Sequence, residues 1–261
     1  MHLELLSVTA TAPSTGAAGL AVTGDSLTVK NGKGKIHIVS AWARQQTTAG
    51  FHQITFPSGH DVSRGIRTGV AASATNLSII PFTNPIEVQP QELLGITIAG
   101  SATAGDVEQL FMLLRYEDLP GISQRLISVA QLDSRREKSA TIEISNVSTA
   151  GPSYGTPTVI TTPADLLMAN RDYAVLGATT RTACGAVYMV GPDTGNLRVG
   201  VPGDIAKPEL CSQWFVLMSR ISAQACIPVI NSGNKASTFA HAMADENAGT
   251  FLTTWHLALL K

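Results

Sequence analysis

The second half of this chain repeats the pattern of the first. In the first half, Ile36-His37-Ile38-Val39 is followed by Thr47-Thr48-Ala49-Gly50-Phe51 and a segment that ends at Gly69-Val70. In the second half, Tyr173-Ala174-Val175-Leu176 is followed by Thr182-Ala183-Cys184-Gly185-Ala186 and a segment that ends at Gly200-Val201. Each half then closes on Ala-Gly and a long apolar run, Ala104-Gly105 before Leu110-Phe111-Met112-Leu113-Leu114 and Ala248-Gly249 before Phe251 to Leu260. The offset between matched landmarks drifts from 135 (Gly50 to Gly185) to 131 (Gly69 to Gly200) to 144 (Gly105 to Gly249). Such drift is what loop insertions in a duplicated unit produce, and internal repetition constrains the fold more than any single motif.

Short apolar and β-branched runs, punctuated by turn residues, predict an all-β chain. Strands are expected in the first half at 26–30, 35–43, 51–56, 64–70, 77–82, 95–99 and 107–117. The second half offers 140–146, 158–161, 173–181, 186–190, 197–201, 214–221, 227–231 and 250–260. Helix is confined to short pieces. Thr162-Pro163 and Lys207-Pro208 place proline at a first helical position, and Gln89-Pro90 looks similar. Leu119, Ile122, Leu126, Val129 and Leu132 recur at three and four residues, which predicts an amphipathic linker helix over 119–133.

The expected division is an N-terminal segment (1–24), a first sandwich (25–118), a linker (119–139) and a second sandwich (140–261). Two jelly rolls or two immunoglobulin-like sandwiches fit this size, and no Cys-Trp-Cys framework supports the second choice. On its duplicated strand pattern and overall size, residues 25–261 resemble the double jelly-roll major capsid proteins of tailless icosahedral, often membrane-containing viruses. The resemblance implies two tandem jelly-roll sandwiches per chain and a homotrimer of pseudo-hexagonal outline that tiles the shell. Neighbouring capsomers, minor capsid or vertex proteins and an internal membrane are the partners it implies, with the virion as location and the host cytoplasm as the place of synthesis.

Composition agrees with a structural role. There are 18 basic and 19 acidic residues in 261, so no electrostatic footprint for nucleic acid exists. Residues 1–29 hold no Lys or Arg, so direct genome binding through that terminus is not expected. No apolar stretch is long enough for a membrane-spanning helix, and residues 1–15 lack the basic and apolar regions of a secretory signal. The mixed cluster Asp133-Ser134-Arg135-Arg136-Glu137-Lys138 reads as a solvated linker, or else as an inter-subunit or membrane-facing contact.

Chemistry is weakly signalled. His37, His52, His60, His241 and His256 lack the spacing of a bicupin metal site, and no Gly-x-Ser-x-Gly elbow or phosphate-loop spacing occurs. The glycines Gly16, Gly19, Gly32 and Gly34 read as turns. Cys184, Cys211 and Cys226 read as buried hydrophobes, and Trp42, Trp214 and Trp255 as core before sugar platforms. No catalytic, cofactor-binding or metal residue is therefore expected, and no enzyme; a carbohydrate- or receptor-binding sandwich is the alternative, with a bicupin-like metalloenzyme behind it. Cohesion between trimers is expected from apolar and hydrogen-bonded packing through loops 57–63, 191–196 and 231–238. The near-continuous apolar character of 107–117 and 251–260 predicts strands covered on both faces, with Leu110, Leu113, Leu257 and Leu259 buried.

Overall fold

The computed structural model describes residues 1–11, 22–44, 50–56, 65–70, 77–99, 105–148, 154–161, 167–244 and 249–261. The first half contains strands β1 (His2–Thr11), β2 (Thr23–Gly24), β3 (Lys33–Arg44), β4 (Gly50–Thr55), β5 (Ile66–Val70), β6 (Ser78–Val88), β7 (Gly95–Ala99) and β8 (Val107–Asp118). The linker follows with β9 (Leu126–Ile127) and helix α1 (Val129–Arg135). The second half then runs through β10 (Arg136–Ser148), β11 (Thr158–Val159), β12 (Asp172–Thr180), β13 (Ala186–Val190), β14 (Val199–Pro202), α2 (Pro208–Ser212), α3 (Trp214–Ser222), β15 (Ile227–Asn231), β16 (Phe239–Met243) and β17 (Gly249–Leu260).

In the first half a large sheet, ordered β2-β1-β8-β3-β6, packs on a small one, ordered β5-β4-β7. The second half has a large sheet ordered β10-β17-β12-β15-β9 and a small one ordered β11-β16-β13-β14. Strand for strand the neighbours match: the last strand of each half lies between the first and third, and all these pairings are antiparallel. That crossing is a jelly roll, so the fold is an all-β double jelly roll with a few short helices.

The landmarks of the repeat fall on equivalent strands. Gly50 opens β4 and Gly185 immediately precedes β13, each the strand between two partners of the small sheet. In the last strands, Met112 stands opposite Ala41 and Trp255 opposite Ala178, an offset of 143, one less than Gly105 to Gly249 suggested. Helices α2 and α3 lie between β14 and β15, and this inserted length contributes to the drift between the halves.

The rolls stack sheet on sheet. Leu6, Val8, Leu110, Met112 and Leu114 point into the first roll's own core. The alternate residues Leu3, Leu5, Phe111 and Leu113 belong to the core cluster of the second half. Strand β8 is thus buried on both faces, as its continuous hydrophobicity requires, and Leu110, Leu113, Leu257 and Leu259 are all 2% exposed or less. Each such side chain contributes about 1.5–3 kcal/mol relative to exposure. The corresponding outer face of the second large sheet is different: Thr141, Glu143 and Ser145 of β10 are exposed there, and Ile142 and Ile144 between them are buried.

Several local expectations are corrected. Residues 214–221 form helix α3, not a strand. A short continuous apolar run does not distinguish a buried strand from a buried helix, and here Trp214, Phe215 and Met218 lie on the covered side. Residues 119–133 are not one helix: a turn at Pro120-Gly121 and strand β9 precede α1, which starts on a Ser128–Gln131 capping box. Gln89-Pro90 begins a turn, with Gln91 at φ 61°, whereas Lys207-Pro208 does start helix α2. The Thr162-Pro163 start lies outside the described residues. Of 26–30, only a bridge from Thr28 to Leu93 forms. Strands β1 and β16 were not expected, and β1, within the segment 1–24 set apart above, pairs with β8 along its whole length.

Candidate functional site

The junction between the rolls is the most elaborated surface of the chain. The outer face of β1, β3 and β8 meets β14, the residues flanking β13 and β16, and helix α3, which also packs on β6, and small residues set how closely they approach. A Cβ on Gly200 would run into the Leu5 side chain, and one on Gly185 into Gln109 and Phe111. Backbone and side chains then cross the seam: Leu5 N donates to the Arg198 carbonyl at 2.8 Å, Trp42 Nε1 to Gly185 O at 3.0 Å and Gln109 Nε2 to Ala244 O at 2.8 Å. Trp42 stacks on Phe111 with ring centroids 5.4 Å apart and meets the edge of Trp214 at 5.6 Å. Aromatic pairs of this geometry add about 0.5–1.5 kcal/mol beyond the area they bury.

At one end of the seam an arginine is enclosed by aromatic rings. The Arg198 guanidinium lies 5.3 Å from the Tyr154 ring centroid and 5.7 Å from that of Tyr188, and it forms an ion pair with Asp25. Tyr154 donates to Ser7 Oγ at 2.7 Å, and Tyr188 stacks on His241 at 4.5 Å. Burial pushes the Tyr188 hydroxyl up to about 12 and raises Tyr154 as well; both stay protonated. Burial lowers His241, so the ring is neutral against Tyr188. The cluster is therefore one cation held by one carboxylate and two ring faces. It can fasten the first roll to the second, and no nucleophile or general base is poised in it.

The linker is fastened just as firmly. Arg125 pairs with Asp172, its N–H donates to Asp193 O at 3.3 Å, and its carbonyl accepts from Val229 N at 2.8 Å. Asp193 in turn accepts from Asn231 N and Asn234 Nδ2, which ties the loops 191–196 and 231–238 together at one end of the second roll. These two loops were expected to hold trimers together. Loop 57–63 lies outside the described residues.

The histidines are not brought together. His37, His52, His241 and His256 sit on different strands, His60 lies outside the described residues, and no group of three or more His, Cys, Asp or Glu among the described residues is placed to hold a metal. His52 and Glu108 are both fully buried, 3.8 Å apart, and burial drives His52 down to about 3. Cys184, Cys211 and Cys226 are free and buried, and burial raises the Cys211 thiol to about 11. Trp42, Trp214 and Trp255 are fully buried. The Tyr154, Tyr188 and Arg198 cluster was missed, and its signal was slight: apolar residues on both faces of β1, where Leu3 and Leu5 alternate with Leu6 and Val8.

No family model matches the chain, and no curated protein does. Among solved structures it is similar to the PBSX exported protein XepA, at 11% identity over 98% of this chain and 86% of that one, with a TM-score of 0.26. It is also similar to the STIV MCP, at 8% identity over 100% and 96%, with a TM-score of 0.20. The major capsid protein P2 from bacteriophage PM2 is a third, at 8% identity over 99% and 98%, with a TM-score of 0.21. The likeness carries no argument at these scores, and the fold assignment rests on strand order and register.

Proposed function

We propose that this chain is a structural shell subunit, a virus major capsid protein whose three copies form a trimer of six similar rolls. The carrying observation is the direction of the junction: the second roll's small sheet covers the outer face of the first roll's large sheet. Unlike faces meet, so the contact runs head to tail, and a head-to-tail contact whose rotation closes generates a ring. Two such rolls per chain supply six near-equivalent corners from three chains.

In this reading the partners are neighbouring capsomers, minor capsid or vertex proteins and, in shells that contain one, an internal membrane. No helix among the described residues is long and apolar enough to cross a membrane. The contacts between chains are more polar than the junction within one, because the second outer face presents Thr254 and His256 where the first presents Phe111 and Leu113. The chain works by packing, not by catalysis. Sedimentation equilibrium of the purified chain tests this: three chain masses, or a multiple of three at high concentration, are expected, and a monomer at every concentration, above all one that binds glycans, would favour the receptor-binding alternative.

A further inference from the structure

Strands β1 and β10 are equivalent first strands of the two rolls, yet their outer edges are treated differently. With Leu6 opposite Met112 and Ile142 opposite Trp255, Leu3, Leu5, Ser7 and Thr9 of β1 correspond to Ser139, Thr141, Glu143 and Ser145 of β10. Every one of these β1 positions is occupied on its outer edge. Leu3 exchanges bonds with the Gln124 side chain, Leu5 N donates to Arg198 O, Ser7 exchanges bonds with Asp25, and Thr9 pairs with Thr23 of β2.

On β10 the Ser145 carbonyl accepts from Thr158 Oγ1 and the Val147 carbonyl from Thr156 N, so the odd-numbered residues turn their backbone groups outward. At Ser139, Thr141 and Glu143 no described residue answers those groups, and all three residues are exposed. An open run of outward N–H and C=O groups is a template for another strand. The bulge at Glu137 and the charge of Lys138 blunt only the start of the strand, and the positions that follow, Ser139 and Thr141, are small and uncharged.

We propose that β10 is a docking edge for a second copy of this chain, the two strands pairing antiparallel about a two-fold axis at Thr141. Charge complementarity selects this occupant. In that register Thr141 faces its own counterpart and Ser139 faces Glu143 of the second copy. Arg136, exposed beyond Ser139 and without an ion pair among the described residues, then lies diagonal to that Glu143 carboxylate. The run is therefore self-complementary, basic at one end and acidic at the other, as an isologous contact requires. Glu143 now pairs with Arg181, and both side chains are largely exposed, so little holds that pair against exchange. The contact is distinct from the head-to-tail ring and would join one ring to the next.

Sedimentation velocity of the full chain over a concentration series is the test, with circular dichroism to establish that each variant is folded. The wild type is expected to double its mass reversibly, whether from monomer or from trimer. Thr141→Pro removes an outward N–H without touching the β17 ladder and should weaken doubling by about tenfold or more. Glu143→Arg should weaken it as well, and the pair Arg136→Glu with Glu143→Arg should restore it. A wild type that forms rings but never doubles, a folded Thr141→Pro that doubles normally, or a charge swap that fails to rescue would each overturn the proposal. The first of these would leave the shell reading standing.

Discussion

Trp42 of the first roll donates its indole N–H to the carbonyl of Gly185, the glycine of the second roll that matches Gly50 in the repeat. The bond spans 143 positions in sequence and both ends are fully buried. Removing the donor leaves a buried carbonyl unpaired, which costs about 1–3 kcal/mol. Trp42→Phe should therefore lower the melting temperature by several degrees in calorimetry while the two rolls still unfold in one transition. Two separated transitions in the wild type would mean that the seam does not couple them.

Gly200 and Leu5 fix how closely the rolls approach. Gly200→Ala forces a methyl against Leu5, and overpacking of this kind costs about 1–3 kcal/mol. Adding Leu5→Ala should recover part of that loss, so a double-mutant cycle should give a coupling energy of about 0.5 kcal/mol or more. Strict additivity would place the two residues out of contact.

His52 links stability to pH. Burial holds its folded value near 3, below the ordinary 6.5, so on acidification the unfolded chain takes up the proton first. Stability is fully present above about 6.5 and falls as pH drops towards about 3, by about 1.4 kcal/mol per pH unit for one such group. Burial lowers His2, His37, His241 and His256 in the same direction, so their losses add. His52→Gln should reduce the slope of stability against pH, followed by urea titration between pH 4 and 6, by about one proton's share. An unchanged slope would place His52 in contact with water.

Leu257 sits in the middle of β17 at 1% exposure, opposite Ala140 on one side and Val175 on the other. Leu257→Asp introduces an unpaired buried charge, a cost of several kcal/mol that consumes much of a domain's stability. Expression of this variant should give insoluble or unfolded protein, whereas Leu257→Met should remain soluble.

Much of this architecture was legible in the sequence because it is written in repeats and strand periods. The runs at 107–117 and 250–260 read as strands covered on both faces; β8 is one, whereas β17 alternates between buried and half-buried residues as far as His256 and is buried at every position only from Leu257. The landmark Gly185 was visible for a physical reason too, because Phe111 and Gln109 leave no room there for a side chain. Helix α3 was not legible: its apolar residues are too continuous to reveal a period of 3.6. Strand β1 escaped because its segment was judged by what it lacked, a signal sequence and basic charge, and not by its alternation. The Arg198 cluster is invisible locally, since Asp25, Tyr154 and Tyr188 reach it from three distant stretches. The edge at Ser139 to Glu143, open among the described residues, emerges only when β1, its capped counterpart, is laid beside it.

On the proposed function, two equivalent rolls stacked head to tail make this chain one third of a six-cornered shell unit. Single-particle imaging of the purified full chain tests it most directly. Class averages should show a closed particle of six lobes with three-fold symmetry, each pair of lobes joined through the Trp42–Gly185 seam. Isolated two-lobed particles at every concentration would contradict the account.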